Sequence, residues 1–239
     1  MNLDPYIAEY HDYSFDYLFD NIPYLPWIGV NYNKQSDKIL IVPESVYDWK
    51  QGSESSKQSL SQKTFVRNCV REHGLQHTLP SDKKFKEGEI SPLYRSTERL
   101  MWNEKQVANH KKQYLWTSVA FHEFVQRPME NKKSRPNWYD YVNGAKLLSS
   151  LIITLKPKVC IFLGSDTHKL NSLKHEFKIT EMVGEKINRT TGKILKLDSI
   201  GINTTIVMVK HPSKYFSWSK WSQFLSKAAP EVMESFRAF

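Results

Sequence analysis

The sequence predicts an α/β fold: one domain over residues 1–239, with a mainly parallel sheet of about four strands and helices on both faces. Three observations lead there. Short apolar runs rich in β-branched residues alternate with stretches of helical periodicity. The apolar runs are continuous, as in strands buried on both faces, and do not alternate with polar residues. No internal repeat and no shift in composition divides the chain.

The elements follow in order. Residues 4–28 mix aromatics with acidic spacers and predict one or two short helices, broken at Asn21-Ile22-Pro23, so that residues 1–28 form a helical extension. Ile39 to Val42 is the first strand, bounded by Asp37-Lys38 and by Pro43. Residues 51–62 are polar and serine-rich, the composition of a mobile loop. Residues 64–73 predict a helix with Phe65, Cys69 and Val70 at core spacing and Gly74 as its stop. A second helical pattern covers residues 97–113, and residues 114–121 (YLWTSVAF) read as a second strand. Residues 138–155 carry the clearest helix, with Tyr141, Leu147, Leu148, Leu151 and Ile152 on its apolar face, Asn137 as N-cap and Pro157 beyond its end. Residues 158–164 (KVCIFLG) are a third strand and residues 166–177 a helix. Residues 178–198 are polar and lysine-rich, a hairpin or loop around Thr191-Gly192. Residues 204–210 are the fourth strand, and residues 217–228 a closing helix with Trp218, Trp221, Phe224 and Leu225 turned inward.

Composition narrows the function. A net charge of +9 suits a polyanionic partner, usually a nucleic acid. With 40% hydrophobic and 25% charged residues the chain is globular, not disordered. Two cysteines give neither a disulfide framework nor a thiolate metal set, and no metal-ligand spacing appears among the histidines, so no metal and no cofactor is expected. The acidic, aromatic N-terminus is unlike a signal peptide, and no apolar run reaches the roughly 18 residues of a membrane span. The expectation is a cytoplasmic monomer away from membranes.

Three of the four expected strands end in polar groups: Glu44 and Ser45, His122 and Glu123, His211 and Ser213. In a parallel sheet these ends share one edge, the edge at which open α/β sheets bind ligands. The remaining strand ends in Gly164-Ser165-Asp166. A Ser-His-acid triad of Ser45, His211 and Glu123 is conceivable, but Ser45 lacks the glycine-flanked elbow that exposes such a nucleophile.

With Pro43-Glu44-Ser45-Val46-Tyr47 after the first strand and His211-Pro212-Ser213 after the last, the chain resembles the uracil-DNA glycosylase superfamily from about Trp27 to Ala228. In that family's best-known branch the first motif reads Gly-Gln-Asp-Pro-Tyr and the last His-Pro-Ser. The resemblance implies a protein that flips a base out of DNA and hydrolyses its N-glycosidic bond, the base being uracil or a modified pyrimidine. It implies that His211 donates a hydrogen bond to the departing base and that Ser213 holds a phosphate. Tyr47 then closes the pocket, and His122 or Glu123 stands where the family reads the base. Lys210 and Lys214 suit phosphates, and Tyr215 with Phe216 would fill the gap left in the base stack. Ser45 stands where the family's aspartate positions water, which leaves Glu44 or Glu123 as the acid–base candidates. Pro43 replaces the glycine and removes a backbone donor. A catalytically silent relative that binds DNA or a partner through the same cleft, and a hydrolase of small nucleosides or esters, are the alternatives.

Overall fold

A computed structural model describes residues 5–47, 58–86, 90–131, 133–197, 203–213 and 215–239. The strands are β1 (Trp27–Ile28), β2 (Ile39–Val42), β3 (Ala120–Phe121), β4 (Val159–Leu163), β5 (Ile179–Ile187), β6 (Thr190–Leu197) and β7 (Thr205–Val209). The helices are α1 (Pro5–Ala8), α2 (Phe65–Cys69), α3 (Pro92–Trp102), α4 (Asn109–Ser118), α5 (Trp138–Leu155), α6 (Thr167–Glu176), α7 (Trp218–Ala228) and α8 (Pro230–Arg237).

One sheet contains all seven strands, in the order β1-β3-β2-β4-β7-β6-β5. Its centre, β3-β2-β4-β7, is parallel throughout. At one side β1 joins antiparallel to β3. At the other, the β5–β6 hairpin joins antiparallel to β7. The expectation of about four mainly parallel strands is therefore corrected to seven in a mixed sheet. The additions lacked the signal of a buried run: β1 has two residues, and β5 is exposed along most of its length.

Side chains along the central strands alternate between two cores, as the period of a strand requires. Ile39, Ile41, Ile161, Leu163, Val207 and Val209 face one, with residues of α3, α4, α7 and α8. Leu40, Val42, Cys160, Phe162, Ile206 and Met208 face the other, with α5 and α6. Helices thus cover both faces. Each fully buried aliphatic side chain contributes about 1.5–3 kcal/mol, so these strands carry much of the stability.

Helix α5 forms where expected. Asn137 accepts from the Asp140 amide at 3.0 Å, and the Asp140 carboxylate accepts from the Asn137 amide at 2.8 Å, a reciprocal cap. Lys156, in the left-handed region at φ 49°, ends the helix just before Pro157. Residues 114–121 depart from expectation: most belong to α4, and only Ala120–Phe121 are strand. The expected helix over 97–113 is likewise two helices, α3 ending at Asn103 with φ 55°. The N-terminal segment is tied to the domain by Arg67, whose guanidinium donates to both oxygens of Asp16, at 2.9 and 2.5 Å, and to the Pro26 carbonyl at 2.9 Å. Among the described residues no helix is long and apolar enough to cross a membrane.

Candidate functional site

Because β2, β3, β4 and β7 are parallel, Glu44, His122-Glu123, Gly164-Ser165-Asp166 and His211 all follow strand ends at one edge of the sheet. The segments after β2 and β3 continue side by side. His122, Phe124 and Val125 donate backbone hydrogen bonds to the carbonyls of Ile41, Pro43 and Glu44, at 3.1, 3.0 and 2.8 Å. Farther along, Met129 donates to the Val46 carbonyl at 2.8 Å and bridges to Tyr47, which fixes the half-buried Tyr47 beside it.

The centre of the site is a lysine that the sequence did not single out. Lys169, on the first turns of α6, is only 2% exposed. Its Nζ lies 2.7 Å from Glu44 Oε1 and 2.8 Å from Asp166 Oδ2. The Tyr141 hydroxyl, from α5, donates to the same Glu44 oxygen at 3.0 Å. Asp166 also caps α6 through the Lys169 amide, at 3.1 Å. The turn before it needs a glycine on two counts. Gly164 has φ +142°, and a Cβ there would stand 2.3 Å from Lys169 Nζ. Glu44 is thus an ion pair set into the wall of the site rather than a carboxylate in open water.

His211 shares this environment. Burial lowers its pKa below that of a free imidazole, the charges of Lys169 and Arg135 lower it further, and Glu44 opposes them. The balance favours the neutral ring. After it the chain turns tightly: Ser213 donates to the His211 carbonyl at 2.7 Å and Phe216 to the Ser213 carbonyl at 3.2 Å. This turn holds Tyr215 at φ +61° and leaves it 91% exposed, while Phe216 packs against the core. Lys210 reaches back to the Tyr215 carbonyl at 3.1 Å, and Ser213 is exposed. Lys214 lies outside the described residues.

Glu44 and His211 therefore follow strand ends at the same edge, and the charge of Glu44 acts on the His211 ring. His122 does not join them as a cleft-lining group: it is buried, and Gln126 Nε2 is 2.9 Å from its Nε2. Burial, with help from the Arg67 charge, lowers its pKa to about 3, so it is neutral. Glu123 is buried as well. Burial, and then the negative charge of Glu44, raise its pKa to about 8. Ser45 Oγ, His122 Nδ1 and Glu123 Oε2 are buried without hydrogen-bond partners among the described residues. A folded protein leaves few such atoms, and each calls for an explanation, a catalytic role or a bound water among them.

Two clefts open elsewhere. One, of about 270 Å³, is lined by Arg127, Met129, Glu130, Ser134 and Arg135. It adjoins the site through Met129, the partner of Tyr47, and through Arg135, whose charge acts on His211. The other, about 340 Å³, lies between Asn21-Ile22-Pro23 and the start of α5. Among the described residues no group of three His, Cys, Asp or Glu side chains is placed to hold a metal ion.

Tyr141 and Asp166 were legible only as a core aromatic and a turn residue, and Lys169 only as a helical lysine. The available signal was the Gly-Ser-Asp turn followed by lysine at the i+3 position of Asp166. No protein-family model matches the chain, and no curated protein matches it significantly.

Proposed function

We propose that this chain binds DNA, extrudes a base and hydrolyses its N-glycosidic bond, the base being uracil or a modified pyrimidine. The observation that carries the reading is the meeting of Glu44, ion-paired to Lys169, with the field of a neutral His211 at the ends of parallel strands. N-glycoside cleavage leaves an oxocarbenium-like sugar and an electron-rich base, so it needs a fixed negative charge, a donor and a placed water. Glu44 supplies the charge and holds the water. His211, held in the turn before Ser213, donates to the departing base.

The surroundings support contact with DNA. Tyr215 projects from a turn in the left-handed region, an arrangement suited to replacing an extruded base in the stack. Ser213 and Lys210 flank it and suit the phosphates on either side. Tyr47, whose backbone bridges to Met129, is suited to face the C5 position of the base. One observation favours the silent binder instead: Glu44 already gives Oε1 to both Lys169 and Tyr141. A carboxylate so engaged stabilises positive charge but accepts a proton from water less readily.

The two readings share a prediction. The net charge of +9 should make duplex binding salt-dependent, with affinity falling by orders of magnitude from about 50 to about 200 mM salt as phosphate counterions are released. Fluorescence anisotropy with a labelled duplex measures it. An affinity unchanged over that range would remove DNA as the partner. Release of a free base from a substituted duplex separates the enzyme from the silent binder.

A further inference from the structure

Two carboxyl groups stand at neighbouring strand ends in opposite surroundings. Glu44 has an ammonium 2.7 Å away and a phenol 3.0 Å away on one oxygen. Glu123 is 3% exposed, and its Oε2 has no hydrogen-bond partner among the described residues. The titratable groups coupled to Glu123 are Glu44 after β2, Tyr24 from the N-terminal segment, Cys69 on α2 and Tyr94 on α3. None of these is a cation. The backbone ties the two segments together, since Val125 donates to the Glu44 carbonyl at 2.8 Å and Phe124 to that of Pro43 at 3.0 Å. One carboxyl is therefore provided for as an anion, and the other as a neutral acid.

Building on the glycosylase reading, we propose that the two carboxyls divide the proton work: Glu44, through the oxygen other than the Oε1 that Lys169 and Tyr141 engage, takes a proton from the attacking water, and Glu123 gives one to the departing base. The C1′–N bond breaks with its electron pair going to the base, and the Glu123 proton neutralises that charge on a ring nitrogen or carbonyl oxygen. Water adds its oxygen to C1′ and loses a proton to Glu44. The reaction ends with Glu44 protonated and Glu123 ionised, and exchange with solvent restores both. A pair of like groups held in contrasting environments is a recurrent way to obtain an acid and a base at one pH. The raised pKa of Glu123, about 8, leaves it protonated at neutral pH. The substrate class follows: bases that depart poorly as bare anions, for which a proton in the transition state matters most.

The test uses the full chain and its Glu123→Gln variant, in which the amide keeps the shape of the acid but has no proton to transfer. Single-turnover release is measured from duplexes carrying uracil and 5-fluorouracil, whose fluorine makes it the better leaving group. Glu123→Gln should slow uracil release roughly 10²–10⁴-fold and 5-fluorouracil release much less. The wild-type rate should fall as pH rises through about 8, and that fall should be absent in the variant. Carbon-13 NMR of the glutamate carboxyls should show one resonance, missing in Glu123→Gln, that is protonated at pH 7. Folding gives a second readout. A carboxyl whose pKa is raised by folding binds more protons in the native state, so wild-type stability should fall relative to the variant as pH rises from about 4.5 to about 8. The division of roles is overturned if Glu123→Gln slows both bases equally or neither, or if that carboxyl is ionised at pH 7. A wild-type protein that releases no base from these or from other modified-pyrimidine duplexes while Glu123 still titrates near 8 overturns the glycosylase reading itself, and the division with it.

Discussion

Replacing Lys169 with methionine is expected to destabilise the fold by about 3–5 kcal/mol, because it leaves Glu44 as a buried charge without its counter-ion. The side chains of Lys169 and Glu44 are 3% and 13% exposed, so water cannot take the place of the missing ammonium. Tyr141 would still donate to Glu44, but one neutral hydrogen bond does not balance a carboxylate. Methionine nearly matches the volume of the lysine stem, so the loss reports charge rather than a cavity. The double variant Lys169→Met with Glu44→Gln removes both charges and should recover most of the stability. Urea denaturation of the single and double variants measures the coupling. A single variant as stable as wild type would mean that the ion pair contributes nothing and that Glu44 is not held by it.

His211→Ala should slow base release by roughly two to three orders of magnitude, while DNA affinity stays within a few-fold. A donor aimed at charge that develops on the departing base is worth ~3–4 kcal/mol in the transition state and little in the ground state. The effect belongs to the single-turnover rate, with affinity measured separately by anisotropy. The neighbouring turn should survive the change, because Ser213 bonds to the backbone carbonyl of His211 and not to its ring. If His211→Ala cleaves as fast as wild type, the histidine is a turn residue and not a donor.

Much of the fold was legible because the forces that make it are local. The runs Ile39–Val42 and Val159–Leu163 are apolar at every position, and burial on both faces of a central strand demands just that. The ends of α5 were written in Asn137 and Pro157, whose effects act within one turn. Residues 114–121 misled because a short apolar run is equally at home in a buried helix and in a buried strand. Leu115, Trp116, Thr117 and Ser118 are all buried, and tertiary packing rather than periodicity made them helical. Residues 178–198 do not decide between hairpin and loop in sequence because β5, exposed along most of its length, mixes polar and apolar side chains with no buried run.

The site was legible in half. Glu44, Glu123 and His211 stood out because polar groups directly after buried strands are placed by topology at one edge. Lys169 did not, since a lysine on a helix ordinarily faces water. Its burial follows from Glu44 and Asp166 reaching it from two other segments, and from the space that Gly164 leaves free, none of which a periodic pattern encodes. That Glu123 Oε2 has no hydrogen-bond partner among the described residues was equally hidden, because it depends on what surrounds that atom in space.

The most direct measurement incubates the purified chain with a panel of duplexes that each carry one altered base, uracil and modified pyrimidines among them, and scores alkali-labile breaks at that position. Breaks should appear at uracil or at a modified pyrimidine, and should fall by roughly two to three orders of magnitude with His211→Ala. No break in any duplex, with DNA still bound in a salt-dependent way, would contradict the enzyme and leave a binding protein that uses the same strand ends.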